Sequence, residues 1–276
     1  MKKFILDSFI FAIILMIGFN VWPIYLLCKD RYKNRVAGNE IYYSIYKSKQ
    51  KKKTKKLLLG DSVGNQMFSN KTNNFPIYSL TCNQAIDMVG HFLLLNNFIN
   101  AGNHIDTVYL LFSPFSFQSN LNNKYTYHYF LKPFYTNEYS TLYTETVYEQ
   151  IHKIPYYYLC RLPYILTSNW APDFISKDLI NYTFLSPISV EYLKKMKELA
   201  IKHNFKLIII PTPTSFNKKQ FVDRLDKNEI VKNYLVSEFQ YYFDNIIYLP
   251  DSDFVDGTHF KDPSTYSEYY RHRFIK

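Results

Sequence analysis

Five short runs of almost uninterrupted apolar residues constrain this chain most. Lys56-Leu57-Leu58-Leu59 runs into Gly60-Asp61-Ser62, Asp106 to Phe112 reads DTVYLLF, and Lys206 to Ile210 reads KLIII. Ile77 to Thr81 and Ile246 to Leu249 are shorter. A strand with one wet face alternates apolar and polar residues, whereas strands that are apolar throughout are buried on both faces. Between these runs the pattern turns helical. Gln84 to Asn100 spaces Ile86, Val89, Leu93 and Asn97 along one face before the stop signal Ala101-Gly102-Asn103. Ser189 to Asn204 does the same with Val190, Leu193, Met196, Leu199 and Ala200, and Val231 to Phe243 is helix-like. The alternation predicts an α/β fold with a central parallel sheet covered on both faces. In such sheets ligands bind at the carboxyl ends of the strands, where Ser62 falls.

From about Pro114 to Pro187 the alternation breaks. This stretch holds ten tyrosines between Tyr125 and Tyr158, together with Pro133, Pro155, Pro163 and Pro172. It reads as an insertion of short helices and loops over one end of the sheet. The chain as a whole carries 27 Tyr and 23 Phe against 7 Gly, which excludes a disordered or low-complexity protein. The insertion is therefore either ordinary aromatic packing or a platform on which sugar rings stack.

Ahead of the first strand, Ser8 to Leu27 is a run of 20 uncharged, mostly apolar residues. As a helix it would cross about 30 Å of hydrocarbon. Tyr25-Leu26-Leu27-Cys28 lacks the small residues of a signal-peptidase site, so residues 4–27 are expected to remain as a membrane anchor, with Trp22 and Tyr25 at the interface. Lys2 and Lys3 on one flank and Lys29, Arg31, Lys33 and Arg35 on the other leave the orientation open by charge alone. Residues 28–56 are expected to be a basic juxtamembrane linker, and residues 57–276 the folded domain. Nearly all of the formal charge of +10 resides in this linker, where Lys29 to Arg35 carries a net +3 and Tyr46 to Lys56 holds seven lysines. The excess describes a tether at anionic headgroups and not a nucleic-acid-binding domain, since no aromatics interleave with the lysines and no recognition motif follows. Cys28, Cys82 and Cys160 are odd in number and far apart, so neither a disulfide framework nor a zinc site is expected.

Two clusters carry chemistry. One is Gly60-Asp61-Ser62 after the first strand; the other is Asp256-Gly257-Thr258-His259 beyond the last. A serine hydroxyl becomes nucleophilic when a histidine takes its proton and a carboxylate orients that histidine. One loop can supply Asp256 and His259 together. The remaining histidines, His91, His104, His128, His152, His203 and His272, have no partner spacing that suggests catalysis or a metal.

These residues resemble the SGNH (GDSL-like) hydrolase superfamily, whose first block is a strand followed by Gly-Asp-Ser and whose last is Asp-x-x-His. With the N-terminal anchor, the phrase from Phe254 to Phe260 is most similar to its membrane-anchored, extracytoplasmic branch, whose members modify cell-envelope polysaccharides. The resemblance implies a three-layer α/β/α domain with a Ser62–His259–Asp256 triad and no cofactor. It implies a serine esterase or O-acyltransferase, with acetyl as the expected acyl group. The partners it implies are a carbohydrate or envelope polymer, the membrane, and an acyl-donor membrane protein. The middle blocks depart from the family. Thr81-Cys82-Asn83-Gln84-Ala85 has no glycine where one is usual, and Ser113-Pro114-Phe115-Ser116 has no Asn. Asn83 and Ser113 offer themselves as substitute oxyanion donors beside the Ser62 N–H. Two rivals stay open: a non-catalytic polysaccharide-binding scaffold with a degenerate fold, and a cytoplasmic-face protein whose lysines bind anionic lipid or nucleic acid.

Overall fold

The computed structural model describes residues 2–21, 39–72, 77–123, 125–161, 184–226 and 236–275. Helix α1 spans Lys2–Asn20 and presents Phe4, Phe9, Phe11 and Ile17 to its surroundings. It covers the first part of the expected anchor; Trp22, Tyr25 and Cys28 lie outside the described residues. Among the described residues no helix is long and apolar enough to cross a membrane.

Helix α2, Asn39–Ser48, differs from the linker expected over residues 28–56. It buries Ile41, Ser44, Lys47 and Ser48 against the domain. Ser44 Oγ donates to the Thr81 carbonyl at 3.1 Å, and Lys47 Nζ donates to the Asn70 carbonyl at 2.7 Å. Burial, helped by the nearby Lys52, lowers the Lys47 pKa to about 8. Lys49 pairs with Glu138, and the Lys52 N–H donates to Asn103 Oδ1 at 2.6 Å. The folded unit therefore begins by residue 39, and part of the lysine run is stitched to it. The run of charge in the sequence hid a helix among whose buried residues only Ile41 is apolar.

The rest follows the predicted alternation. Strand β1, Lys56–Gly60, leads into the short helix α3, Ser62–Met67, then β2, Tyr78–Ser79, α4, Asp87–Asn100, and β3, Thr107–Phe112. Short helical turns and α5, Glu145–His152, occupy the described part of the insertion. Next come α6, Pro187–His203, β4, Lys206–Pro211, β5, Thr214–Ser215, α7, Lys219–Asp223, α8, Val236–Asp244, β6, Tyr248–Leu249, and α9, Ser264–Ile275.

The four-stranded sheet runs β2-β1-β3-β4 and is parallel throughout. Strands β5 and β6 form a separate parallel pair. Leu57, Leu59, Val108, Leu110, Phe112, Leu207 and Ile209 face one core with α4 and α6. Leu58, Tyr109, Leu111 and Ile210 face a second with Val63, Met67, Phe254, Phe260 and Tyr270. Alternate side chains thus enter different cores, which is why the strands read as continuous apolar runs. Each fully buried leucine stabilises the fold by about 2 kcal/mol.

The insertion's tyrosines mostly serve packing. Tyr127, Tyr135, Tyr139 and Tyr143 are buried in the first core, while Tyr125, Tyr156 and Tyr158 are exposed.

The start of α4 holds two buried titratable groups one helical turn apart. Asp87 adopts φ 53° and accepts the Leu121 N–H at 2.6 Å through Oδ2, while Oδ1 has no partner among the described residues. Burial pushes its pKa up to about 7, against the pull of Ser119 and the Leu121 N–H. His91 is buried edge-on to Phe112 with both ring nitrogens unpartnered among the described residues, and burial pushes its pKa down to about 3. Linkage gives these shifts opposite signs. From about pH 4 to 7 the fold retains an Asp87 proton that the unfolded chain has released, so the Asp87 contribution falls as pH rises. From about pH 6.5 down to 3 the unfolded chain binds a His91 proton that the fold excludes, so the His91 contribution falls as pH drops. The two offset between about pH 4 and 6.5. Asp87→Asn should leave the His91 effect uncompensated, so its Tm should fall more steeply than that of wild type on acidification from pH 6.5 to 4. Parallel Tm profiles would contradict this.

Candidate active site

Strand β1 lies at the point where the chain passes to β2 on one side and then to β3 on the other, the crevice where parallel sheets bind ligands. Gly60 is there because nothing larger fits: a Cβ would stand 2.8 Å from the Leu111 carbonyl oxygen and 2.9 Å from Thr81 Cγ2. Asp61 follows in extended conformation and caps α3, its Oδ1 accepting the N–H groups of Val63 and Gly64 at 3.0 Å each. Oδ2 accepts the Ser113 N–H at 2.7 Å and the Ser116 hydroxyl at 2.6 Å. This fully buried carboxylate joins the ends of β1 and β3. The Ser62 N–H is not among its donors, and the half-buried Ser62 side chain is left to face the crevice.

The partner for Ser62 arrives from the C-terminal loop. His259 Nε2 lies 2.9 Å from Ser62 Oγ, and His259 Nδ1 lies 2.8 Å from Asp256 Oδ2. Asp256 Oδ1 accepts the Thr258 N–H at 3.0 Å and the His259 N–H at 2.7 Å, which folds the loop back on itself. Gly257 makes the turn at φ 77°. Burial alone would raise the Asp256 pKa, but the N–H groups of His259 and Thr258 and the His259 ring outweigh it and hold the pKa at about 2. Asp256 is therefore ionised at neutral pH and accepts a hydrogen bond from the Nδ1–H of His259, leaving Nε2 as the acceptor for the Ser62 hydroxyl. The arrangement is open, with His259 and Asp256 side chains 38% and 55% exposed.

Three contacts that the sequence did not signal hold this loop. Gln66 sits one turn beyond Ser62 on α3; its Oε1 accepts the Phe260 N–H at 3.0 Å and its Nε2 donates to the Phe260 carbonyl at 3.3 Å. The residue after the histidine is thus clamped by the helix that carries the serine. Phe254 and Phe260 form an antiparallel bridge with rings 5.1 Å apart. Ser215 Oγ donates to the Gly257 carbonyl at 2.9 Å from the other side. The sequence marks Gly60-Asp61-Ser62 only as the end of a strand, which gives no sign of the helix that places Gln66 four residues after Ser62.

The two expected oxyanion donors fare differently. Ser113 is a correction: its N–H is bound to Asp61. Ser116 gives its hydroxyl proton to Asp61, so the Ser113 hydroxyl, 3.2 Å away, is left to donate to Ser116 Oγ. With both protons committed, Ser113 positions the loop and does not face a developing charge. Asn83 is half-buried and caps the turn Gln84–Ile86, its Oδ1 accepting the Ala85 N–H at 2.9 Å. That geometry leaves its amide N–H groups outside the cap. Cys82 and Cys160 are free and buried.

Comparison with known proteins found no family model, no curated protein and no solved structure that matches the chain.

Proposed function

We propose that this chain is a serine-dependent acyl esterase or O-acyltransferase of the SGNH type, acting on a carbohydrate or cell-envelope polymer. The observation that carries this reading is the bonded series Asp256–His259–Ser62, supplied by the start of α3 and by the C-terminal loop, at opposite ends of the domain sequence. Helices on both faces of the parallel sheet support the three-layer arrangement of that superfamily. In the proposed reaction Ser62 Oγ attacks the ester carbonyl while His259 Nε2 takes its proton. The tetrahedral oxyanion is met by the Ser62 N–H and the Asn83 amide. His259 returns the proton to the departing alkoxide, and the acyl group stays on Ser62. A water molecule or a sugar hydroxyl then gives its proton to His259 and attacks the acyl carbon; as the acyl–Oγ bond breaks, His259 returns that proton to Ser62 Oγ, which restores the serine.

Residues 4–27 are proposed as a retained anchor, with the domain outside the cytoplasm. An acyl donor delivered through the membrane is then within reach of the site. A topology reporter fused after Lys276 should give an extracytoplasmic signal; a cytoplasmic one would overturn the localisation.

The full chain in detergent micelles should hydrolyse p-nitrophenyl acetate. Absence of turnover would favour the scaffold reading. Gln66→Ala removes the clamp on Phe260 and frees the His259 loop on one side. Displacement of a base by about 1 Å can cost on the order of 100-fold; with the Phe254 bridge and Ser215 still in place, a loss of about tenfold in kcat with little change in KM is expected. Steady-state kinetics on this ester check it, and an unchanged kcat would deny Gln66 a positioning role.

A further inference from the structure

We propose that the stacked rings of Phe115 and Phe221, with Lys218 beside them, form the subsite that seats a pyranose ring of the substrate next to Ser62. This rests on the esterase or acyltransferase reading above and adds the residues that recognise the sugar. The expected platform was the tyrosine-rich insertion, yet its described tyrosines are mostly consumed in the core. The rings tied to the catalytic loops are others. Phe115 stands between Ser113 and Ser116, both bonded to the carboxylate of Asp61. Phe221, on α7 and 38% exposed, stacks on Phe115 with centroids 4.8 Å apart and planes 25° from parallel. Lys218 Nζ lies 5.8 Å from the Phe115 centroid. Its Cε comes within 3.4 Å of where a Cβ on Gly257 would stand, two residues before His259. One segment, from Ser215 to Phe221, therefore touches the histidine loop through Ser215 and Lys218 and the serine side through Phe115.

The chemistry of this surface selects its ligand. Phe115 backs one side of the Phe221 ring, and the exposed remainder of that ring is a flat apolar surface that matches the C–H face of a pyranose, while the sugar hydroxyls stay wet or reach the Lys218 ammonium. Val222 is buried and fixes α7, so the exposure of Phe221 is not that of a frayed end. The openness of His259 and Asp256 fits a polymer laid across the surface better than a small molecule enclosed in a pocket.

The test uses the full chain in micelles and two acetyl esters, glucose pentaacetate and p-nitrophenyl acetate. Phe221→Leu keeps an apolar side chain and removes the ring. It should lower the ratio of kcat/KM for the sugar ester to that for the aryl ester by about tenfold, while Phe221→Tyr retains the ratio. An unchanged ratio in Phe221→Leu, with wild type turning over both esters, would overturn the subsite and leave the serine chemistry standing. Binding is read apart from turnover by titrating Ser62→Ala with glucose pentaacetate and following ligand NMR signals. Saturable binding that Phe221→Leu weakens about tenfold supports the subsite even without turnover. No binding, or equal binding by both proteins, overturns it. A Phe221→Leu effect confined to p-nitrophenyl octanoate would assign the rings to an acyl chain and overturn it as well.

Discussion

Ser62→Ala is expected to lower kcat/KM for p-nitrophenyl acetate by about 10,000-fold or more while leaving Tm within about 2 °C of wild type. The two halves of this expectation have separate causes. In the proposed reaction this hydroxyl forms the acyl bond, and among the described residues it is the hydroxyl bonded to His259 Nε2. Its removal costs the fold little, because the Asp61 network that secures the strand ends is built from Val63, Gly64, Ser113 and Ser116 and bypasses Ser62. Asp256→Asn should cost less, since the exposed carboxylate is screened by solvent and its main task is to fix the ring. Residual activity in Ser62→Ala within about tenfold of wild type would place the chemistry elsewhere.

Asp61→Ala should have the largest effect on stability. The change removes a buried acceptor and orphans three backbone N–H groups and one hydroxyl, in addition to the cap of α3. Each unsatisfied buried donor costs about 1–3 kcal/mol, partly recovered by relaxation and water entry, so a net loss of about 3–5 kcal/mol is expected. For a domain of this size that corresponds to a fall in Tm of about 10 °C. Asp61→Asn offers no escape, because its amide would turn a donor toward donors already present. Thermal unfolding of both variants checks this, and a Tm within about 2 °C of wild type would mean that the carboxylate does not join β1 to β3. Two aspartates near the triad thus have opposite characters: Asp61 is buried and structural, whereas Asp256 is exposed and orients the histidine.

The strands were legible because a parallel sheet with two cores makes its strands continuously apolar, as in Leu57-Leu58-Leu59. Asp256 and His259 were legible because a single loop holds both and their spacing survives in the sequence. Helix α2 was not, since its buried face is one isoleucine, two serines and a lysine, and the lysine run around it reads as solvated. Ser113 was misassigned because sequence gives its position after β3 but not the destination of its two protons. Gln66 became recognisable only once Ser62 was seen to open a helix, which sets the clamp one turn away. Val231 and the later part of the insertion, residues 162–183, lie outside the described residues.

An activated Ser62 should react with a fluorophosphonate, the reagent that reports a nucleophilic serine most directly. Incubation of the full chain at neutral pH, followed by digestion and mass spectrometry, should place a single phosphonyl adduct on Ser62, absent from Ser62→Ala and slowed in Asp256→Asn. An unlabelled wild-type chain, or an adduct on another residue, would mean that Ser62 is not the activated nucleophile.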